Sequence, residues 1–285
     1  MAAREGSAPL VWSDLLGGGG TVLMGIVNLT PDSFYDGGFY PDAASGITRA
    51  LELAAAGADI VDLGGESSRP GSEPVPAAEE MNRVIPVIEE LAGRLPVPIS
   101  IDTWKAEVAE RALAAGAAIV NDIGALRLDP GLAAVVAAGS GPYVMMHMLG
   151  TPRDMQRRPA YRDVVGEIKE FFRRRIEFAV AAGIELSRIA IDPGIGFGKT
   201  LEHNLEIINR LGEFRDLGRP VLVGVSRKSF IGAILGREPS GRLWGTAGAV
   251  AAAVFRGADI VRVHDVAEIK DLLRVADRIR SAGNG

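Results

Sequence analysis

The chain has 285 residues, of which 47% are hydrophobic and 24% charged, a composition typical of a globular protein with room for one large domain. Its formal net charge of -5, without a long run of Lys and Arg, argues against a general nucleic-acid or membrane-surface role. Cysteine is absent, so disulfides and thiol chemistry are excluded, and without an apolar stretch long enough for a signal peptide core or a membrane span we expect a cytoplasmic protein.

Residues 1–20 end in four consecutive glycines and are interpreted as an N-terminal extension, or as a hairpin beneath the following domain, which is predicted to cover residues 21–285. From residue 21 onward, a short apolar strand is followed by a helical stretch eight times. The predicted strands are 21–27, 60–63, 99–101, 119–120, 143–146, 189–191, 221–225 and 260–263. The predicted helices are 43–56, 77–94, 105–115, 130–138, 161–182, 202–211, 228–235 with 245–256, and 266–279.

These strands are almost continuously apolar, as is typical of a parallel sheet covered on both faces. An open doubly wound sheet would use the same units. The count of eight units, and the lack of a G-x-G-x-x-G turn after the first strand, favour a single closed (β/α)8 TIM barrel.

Two predicted connections, residues 28–42 and 64–76, are long and rich in Gly, Pro, Ser and Asp. Both follow strands, so both belong to the C-terminal face of the barrel, where active sites of this fold lie. Because long loops of this kind are usually functional, we interpret them as mobile lids.

Polar residues follow several of the strands directly. Asp102, Asn121 and Asp192 end the third, fourth and sixth strands, and such a set suits a neutral heterocycle with several hydrogen-bonding edges. A single Asp at a strand end is also a common helix N-cap, so the argument depends on all three. Asp62 lies within the second strand and is interpreted as a satisfied carboxylate of the core.

Cationic residues gather at the last two strands. Lys228 follows the seventh strand and begins a helix with Ser229, while Arg262 and His264 share one face of the eighth strand by period two. Neighbouring strands 7 and 8 often bind phosphate in barrels. A loop containing Arg69 supplies a further donor for anionic oxygens.

The sequence predicts a metal site only if phosphates of a substrate supply most of the ligands. Asn28 ends the first strand, and its neutral oxygen suits a magnesium ion that is held mostly by substrate phosphates. The chain has three histidines and no His-x-His pair, which argues against a three-ligand zinc site.

The ordered set of motifs resembles the dihydropteroate synthases, a family of pterin-binding TIM barrels, from about Leu23 to Ala276. The motifs are Asn28-Leu29-Thr30-Pro31-Asp32-Ser33-Phe34, Gly65-Glu66-Ser67-Ser68-Arg69-Pro70-Gly71, Ser100-Ile101-Asp102-Thr103, Asn121-Asp122, Asp192-Pro193-Gly194-Ile195-Gly196-Phe197, Ser226-Arg227-Lys228 and Arg262-Val263-His264. Each motif alone is modest, whereas the ordered set is specific. The resemblance implies condensation of hydroxymethyl-dihydropterin pyrophosphate with para-aminobenzoate, with Mg²⁺, in folate biosynthesis, and a homodimer.

The resemblance also implies a role for each site residue. Those expected to bind the pterin are Asp102, Asn121, Asp192, Lys228 and Arg262. Those expected to bind pyrophosphate are Asn28, Ser68, Arg69, Arg262 and His264, with Asn28 also at the metal. Those expected to bind para-aminobenzoate are Phe34, Pro70, Phe197, Lys228 and Ser229. The residues expected to act in catalysis are Asp102, Lys228, Arg262 and His264.

Two other functions remain open at this point. One is a pterin-binding module without activity of its own, like the related barrels of corrinoid methyltransferase systems, which would not need Ser68, Arg69 and the motif at 226–228. The other is a Schiff-base aldolase using Lys228, although a lysine beside Arg227 at a helix start is better explained by anion binding.

Overall fold

The computed structural model describes residues 10–30 and 43–282, so Phe34 and most of the first long connection lie outside the described residues. The strands are β1 Val22–Asn28, β2 Ile60–Gly64, β3 Ile99–Asp102, β4 Ile119–Asp122, β5 Tyr143–Met146, β6 Ile189–Asp192, β7 Leu222–Val223 and β8 Ile260–Val263. The helices are α1 Trp12–Leu16, α2 Ala43–Ala55, α3 Ala77–Leu91, α4 Ala106–Ala115, α5 Leu132–Ala138, α6 Val164–Ala181, α7 Leu201–Asn209, α8 Ser229–Leu235, α9 Leu243–Phe255 and α10 Val266–Ala282. The described part of the chain has no helix that is long and apolar enough to cross a membrane.

All strand pairs are parallel, and the sheet runs in the order β6-β5-β4-β3-β2-β1-β8-β7. Its two edges approach each other through a parallel bridge between Ile191 and Val221, and the Ile191 amide donates to the Pro220 carbonyl at 2.9 Å. The predicted (β/α)8 barrel is therefore confirmed. Strand β7 is shorter than predicted.

Helix α1 lies at the floor of the barrel. Trp12 is 2% exposed, and its Nε1 donates to the Arg188 carbonyl at 2.7 Å. The indole packs in a floor cluster with inward-facing strand residues, namely Val22, Met24, Ile60, Ile119, Val144, Ala190, Leu222 and Ile260. A helix thus occupies the place where the sequence suggested a hairpin.

The floor cluster determines which side chains reach the mouth. Strand side chains alternate with period two, so a residue two positions beyond a floor residue points to the same side of the sheet. Ile60, Ile119, Ala190 and Ile260 are therefore followed, on the inner face, by four polar residues. These are Asp62, Asn121, Asp192 and Arg262.

Candidate active site

Arg262 stands at the centre of the barrel mouth and joins three strands. Its Nε donates to Asp62 Oδ2 at 2.6 Å, and its Nη2 donates to Asp102 Oδ2 at 2.7 Å. Asn121 Nδ2 donates to the same Asp62 oxygen at 3.2 Å. Strands β2, β3, β4 and β8 therefore contribute to one hydrogen-bonded cluster, which holds the guanidinium plane in a fixed orientation.

Asp62 is the residue of this cluster that the sequence analysis missed. It is fully buried, as expected of a core carboxylate, and its Oδ2 accepts from Arg262 and Asn121. Its Oδ1, however, has no hydrogen-bond partner among residues 10–30 and 43–282, so the carboxylate is only half satisfied. The physical reason is the period of β2, which points Asp62 inward two residues above the floor. A buried acceptor without a partner is costly in a native protein, and a ligand donor would satisfy it.

Asp192 ends β6 and Lys228 follows β7, the two strands at which the sheet closes. Asp192 is buried, and its Oδ1 accepts from the Gly194 amide at 2.7 Å. Lys228 donates to the Ile195 carbonyl, and its Nζ lies 4.3 Å from the centre of the Phe197 ring. The ammonium is thus held over an aromatic face by a loop that also contributes a carboxylate.

Glycine permits the close course of this loop. Gly194 has φ 69°, and a Cβ at this position would lie 2.0 Å from the His147 carbonyl oxygen. Any other residue would displace β5 from the loop. Gly64 is less tightly enclosed, since a Cβ there would make ordinary contacts 3.7 Å from Asp102 Oδ2 and 3.9 Å from Asn28 Oδ1.

Burial shifts the pKa values of the charged residues at the mouth. Burial raises the pKa of Asp102 to about 7; Arg262 opposes this rise and Asp62 adds to it. Burial lowers the pKa of Lys228 to about 8, although Asp192 opposes the change. Burial likewise raises the pKa of Asp192. The site therefore contains an acid and a base that change charge close to neutral pH.

His264 lies beside the cluster at the end of β8 and contacts Ser226. Its Nδ1 is 2.9 Å from Ser226 Oγ, and its backbone amide donates to the same oxygen at 3.1 Å. Burial and the charges of Arg262 and Arg227 lower the pKa of His264 to about 3. The imidazole is therefore neutral at physiological pH.

The remaining predicted residues are distributed around the rim. Ser68 lines a small cavity with Asp102 and Trp104, whereas Arg69 and Pro70 are exposed. Phe197 packs against an apolar group of Ile123, Met146, Met148 and Met155. Ser229 is exposed at the first position of α8. Arg227 is bound to the Asp265 carboxylate by two hydrogen bonds, so its charge is already paired.

A buried ion cluster holds the base of the loop that carries Ser68 and Arg69. Lys105 Nζ donates to both Glu66 and Glu80, and Glu66 also accepts from the Val75 amide at 3.3 Å. Glu80 is fully buried, and burial raises its pKa, although Lys105 opposes the rise. Glu66 thus connects the beginning of this loop to Val75 near its end.

A second buried pair supports the loop after β6. Lys199 is 3% exposed; its Nζ lies 3.0 Å from His147 Nδ1 and donates to the Phe197 carbonyl at 2.9 Å. Lys199 follows the family motif in the sequence, but nothing in its local pattern indicates burial. The pair holds the backbone of Phe197, and through it the ring beneath Lys228.

Comparison with known proteins identifies the class. The family model described as pterin binding enzyme matches residues 24–264, which include all eight strands except the first two residues of β1. The fold and the polar mouth therefore define a pterin-binding barrel enzyme.

Similar proteins define the family more narrowly. The dihydropteroate synthase of Synechocystis sp. is 46% identical over 260 residues, which cover 91% of this chain and 90% of that protein. The crystal structure of the Yersinia pestis dihydropteroate synthase with a sulfonamide drug complex has a TM-score of 0.89 at 40% identity and covers 99% of both chains. The Xanthomonas albilineans dihydropteroate synthase in complex with 7,8-dihydropteroate has a TM-score of 0.82 at 44% identity, covering 91% of this chain and 94% of that one. The chain belongs to the dihydropteroate synthase family.

Proposed function

We propose that this protein condenses hydroxymethyl-dihydropterin pyrophosphate with para-aminobenzoate, giving dihydropteroate and pyrophosphate in folate biosynthesis. The observation that carries the proposal is the cluster in which Arg262 lies between Asp62 and Asp102 with Asn121 beside them. Membership of the family supports it, as does the 7,8-dihydropteroate complex of the Xanthomonas relative.

The pterin is expected to enter the mouth edge-on. Asp102, Asn121 and Asp192 present acceptors and a donor to a heterocycle whose N–H and carbonyl groups need partners when buried. The unpartnered Oδ1 of Asp62 provides a further acceptor for a ring N–H. Arg262 would lie against the pterin face, since its guanidinium is planar and already fixed by two carboxylates.

Pyrophosphate is expected at the rim beside the eighth strand, held by Asn28, Ser68, Arg69, Arg262 and His264. The charge of Arg69 also lowers the pKa of His264, although less than burial, Arg262 and Arg227 do, which is consistent with a shared anion site. Donors of this kind stabilise the charge that develops on a departing phosphate oxygen.

Magnesium would be carried largely by the substrate. Among residues 10–30 and 43–282, no three His, Asp or Glu side chains are grouped to hold a metal. Asn28 lies at the mouth, with its Oδ1 close to the space above Gly64, and a single neutral oxygen fits Mg²⁺ bound mainly to phosphate and water. When bound, Mg²⁺ would neutralise charge on the leaving pyrophosphate.

The transfer itself requires one bond to break and one to form. The methylene C–O bond breaks with its electrons leaving on pyrophosphate, and the resulting pterin carbocation is stabilised by the nearby Asp102 carboxylate. The amine lone pair of para-aminobenzoate then forms the C–N bond, and the nitrogen loses one proton to the departing pyrophosphate or to water. The residues mainly position the reactants and exclude competing water.

Para-aminobenzoate is expected between the loop at 64–76 and the start of α8. Phe197 and Lys228 would contact its ring from one side and Pro70 from the other, with Ser229 receiving the carboxylate. The resemblance adds Phe34, which lies outside the described residues, to the residues expected to contact the ring. The ring of Phe197 is held in place from behind by its Met-rich packing group. A sulfonamide drug, bound by the Yersinia relative, would be expected to compete there.

A homodimer, located in the cytoplasm, is the assembly we propose. Trp244 and Phe255 of α9 are 79% and 50% exposed and lie on one side of the helix, because they are three turns apart. Ile234 of α8 is 55% exposed. Exposed apolar side chains on one helix face supply the kind of contacts through which a second copy could dock, if they form one patch. Sedimentation at micromolar concentration should give a dimer, and Trp244→Glu should give a monomer; a monomeric wild-type chain would contradict the proposal.

The direct test of function is product formation from purified protein. Hydroxymethyl-dihydropterin pyrophosphate, para-aminobenzoate and Mg²⁺ are combined, pyrophosphate release is measured, and dihydropteroate is identified by mass spectrometry. Product that depends on both substrates supports the proposal, and Arg262→Ala should lower turnover about a hundredfold. Pterin binding without product in well-folded protein would instead indicate the binding module.

A further inference from the structure

Ser226 and His264 face each other because of the register between the last two strands. Val223 of β7 is paired with Val261 of β8, and the same offset continued by three residues places Ser226 opposite His264. Ser226 is 6% exposed, and its Oγ lies 2.9 Å from His264 Nδ1 and 3.1 Å from the His264 amide nitrogen.

Only one arrangement of the hydrogen atoms satisfies the Ser226 hydroxyl, His264 Nδ1 and the His264 backbone amide together. The backbone amide of His264 must donate, so Ser226 Oγ accepts it. If Nδ1 also carried a proton and donated to Oγ, the serine hydroxyl hydrogen would have no acceptor among the described residues, although Ser226 is almost fully buried. If the hydroxyl donates to Nδ1, the hydroxyl, Nδ1 and the backbone amide are all satisfied.

The imidazole has one N–H at neutral pH, since burial and the neighbouring Arg262 and Arg227 lower the pKa of His264 far below 7. With Nδ1 acting as acceptor, that hydrogen resides on Nε2. Nε2 has no protein partner among the described residues, which leaves it available to a ligand.

We propose that Ser226 is a positioning residue that fixes His264 as the Nε2–H tautomer, so that the ring presents a hydrogen-bond donor to a phosphate oxygen of the substrate. The identity of that acceptor rests on the proposed function, whereas the tautomer does not. In the opposite tautomer, a nitrogen lone pair would face phosphate oxygens and repel them.

The tautomer is measurable directly. The full-length chain is labelled with ¹⁵N, and two-bond ¹H–¹⁵N correlations of the imidazole rings are recorded at pH 7. Three histidines are present, so His203→Gln and His264→Gln suffice to assign the signals. We expect the Nε2–H pattern for His264 in the wild type and a shift toward Nδ1–H, or a mixture, in Ser226→Ala. Ser226→Thr, which keeps the hydroxyl, should restore the wild-type pattern.

Activity gives a second readout. Removing a group that orients a metal-bound histidine typically costs about tenfold to a hundredfold, and we expect a comparable loss in kcat for Ser226→Ala, with recovery in Ser226→Thr. The KM for para-aminobenzoate should change less than the kcat.

Several outcomes would overturn the inference. One is a wild-type His264 with hydrogen on Nδ1, which needs no variant to observe. Another is an unchanged Nε2–H tautomer in folded Ser226→Ala. If the protein makes no dihydropteroate at all, the proposed function fails, yet the spectra still decide whether Ser226 sets the tautomer.

Discussion

Arg262 and Asp62 form an ion pair 2.6 Å long across the barrel mouth, although 200 positions separate them in the chain. Asp62 is fully buried, the Arg262 side chain is 18% exposed, and one oxygen of the carboxylate has no partner in the described part of the chain. Removing one partner of a buried pair usually destabilises strongly because the other charge is left uncompensated, so a change to either residue can affect folding as well as the site.

Asp62→Asn should separate these two roles. The side-chain shape is retained, but an amide that faces Arg262 with its oxygen turns its NH₂ toward the pterin, where an acceptor is needed. We expect the affinity for a pterin ligand to fall about tenfold to a hundredfold, the cost of losing a hydrogen bond to a charged group. Isothermal titration calorimetry measures it, with Asp271→Asn, whose side chain is 84% exposed on α10, as the surface control. Unchanged affinity would remove Asp62 from the pterin site.

The fold could be predicted from the sequence because each strand–helix unit is a local pattern. Eight apolar runs and the polar residues that end them indicate both the barrel and the edge at which Asp102, Asn121, Asp192 and Arg262 meet. The pattern of β7 extends further than its hydrogen bonds do, since the strand has only two residues, Leu222–Val223.

Other features depend on contacts between distant positions and have no local signal. Lys105 meets Glu66 and Glu80, and Lys199 meets His147, across 25 to 52 positions. Asp62 is an intermediate case. Period two, the same argument that paired Arg262 with His264, would have placed it on the inner face once the floor residue Ile60 was known.

Lys105→Met is expected to destabilise the protein. It leaves Glu66 and Glu80 buried without their shared cation, and such a loss typically costs about 3–5 kcal/mol in the free energy of unfolding. Urea unfolding at pH 7 measures the loss, and Lys105→Arg, which keeps the charge, should lose much less.

The stability of Lys105→Met should also depend on pH, in a direction that the pKa of Glu80 determines. The folded pKa of Glu80 is already raised, so the folded state binds a proton more readily than the unfolded state does. Stability of Lys105→Met should therefore increase as pH falls from 7 toward 5. Equal losses at both pH values would contradict this account of the cluster.

Loop ordering should depend on Arg69 and on the metal. Arg69 is exposed in the described structure, and we expect it to bind pyrophosphate together with Ser68. Hydrogen exchange of residues 65–76, measured by mass spectrometry, should slow when a pterin, pyrophosphate and Mg²⁺ are present together, and EDTA should reverse the effect. Peptides from α1 on the barrel floor serve as an internal control. Equal slowing in Arg69→Ala would rule out this residue as the contact that orders the loop.

The dependence of kcat/KM on pH should have two limbs. Asp102, with its pKa raised to about 7, must be ionised to stabilise the pterin cation, so activity should rise as pH increases through about 7. Lys228, with its pKa lowered to about 8, must be protonated to serve as a donor, so activity should fall as pH increases above about 8. Because the two groups interact through Arg262, the measured pKa values belong to the coupled site.

Initial rates between pH 5.5 and 9.5 determine both limbs of this profile. Lys228→Arg, whose charge persists across this range, should remove the basic limb and leave the acidic one, and Asp102→Asn should do the reverse at much lower activity. A profile whose limbs survive in both variants would assign the ionisations to other groups.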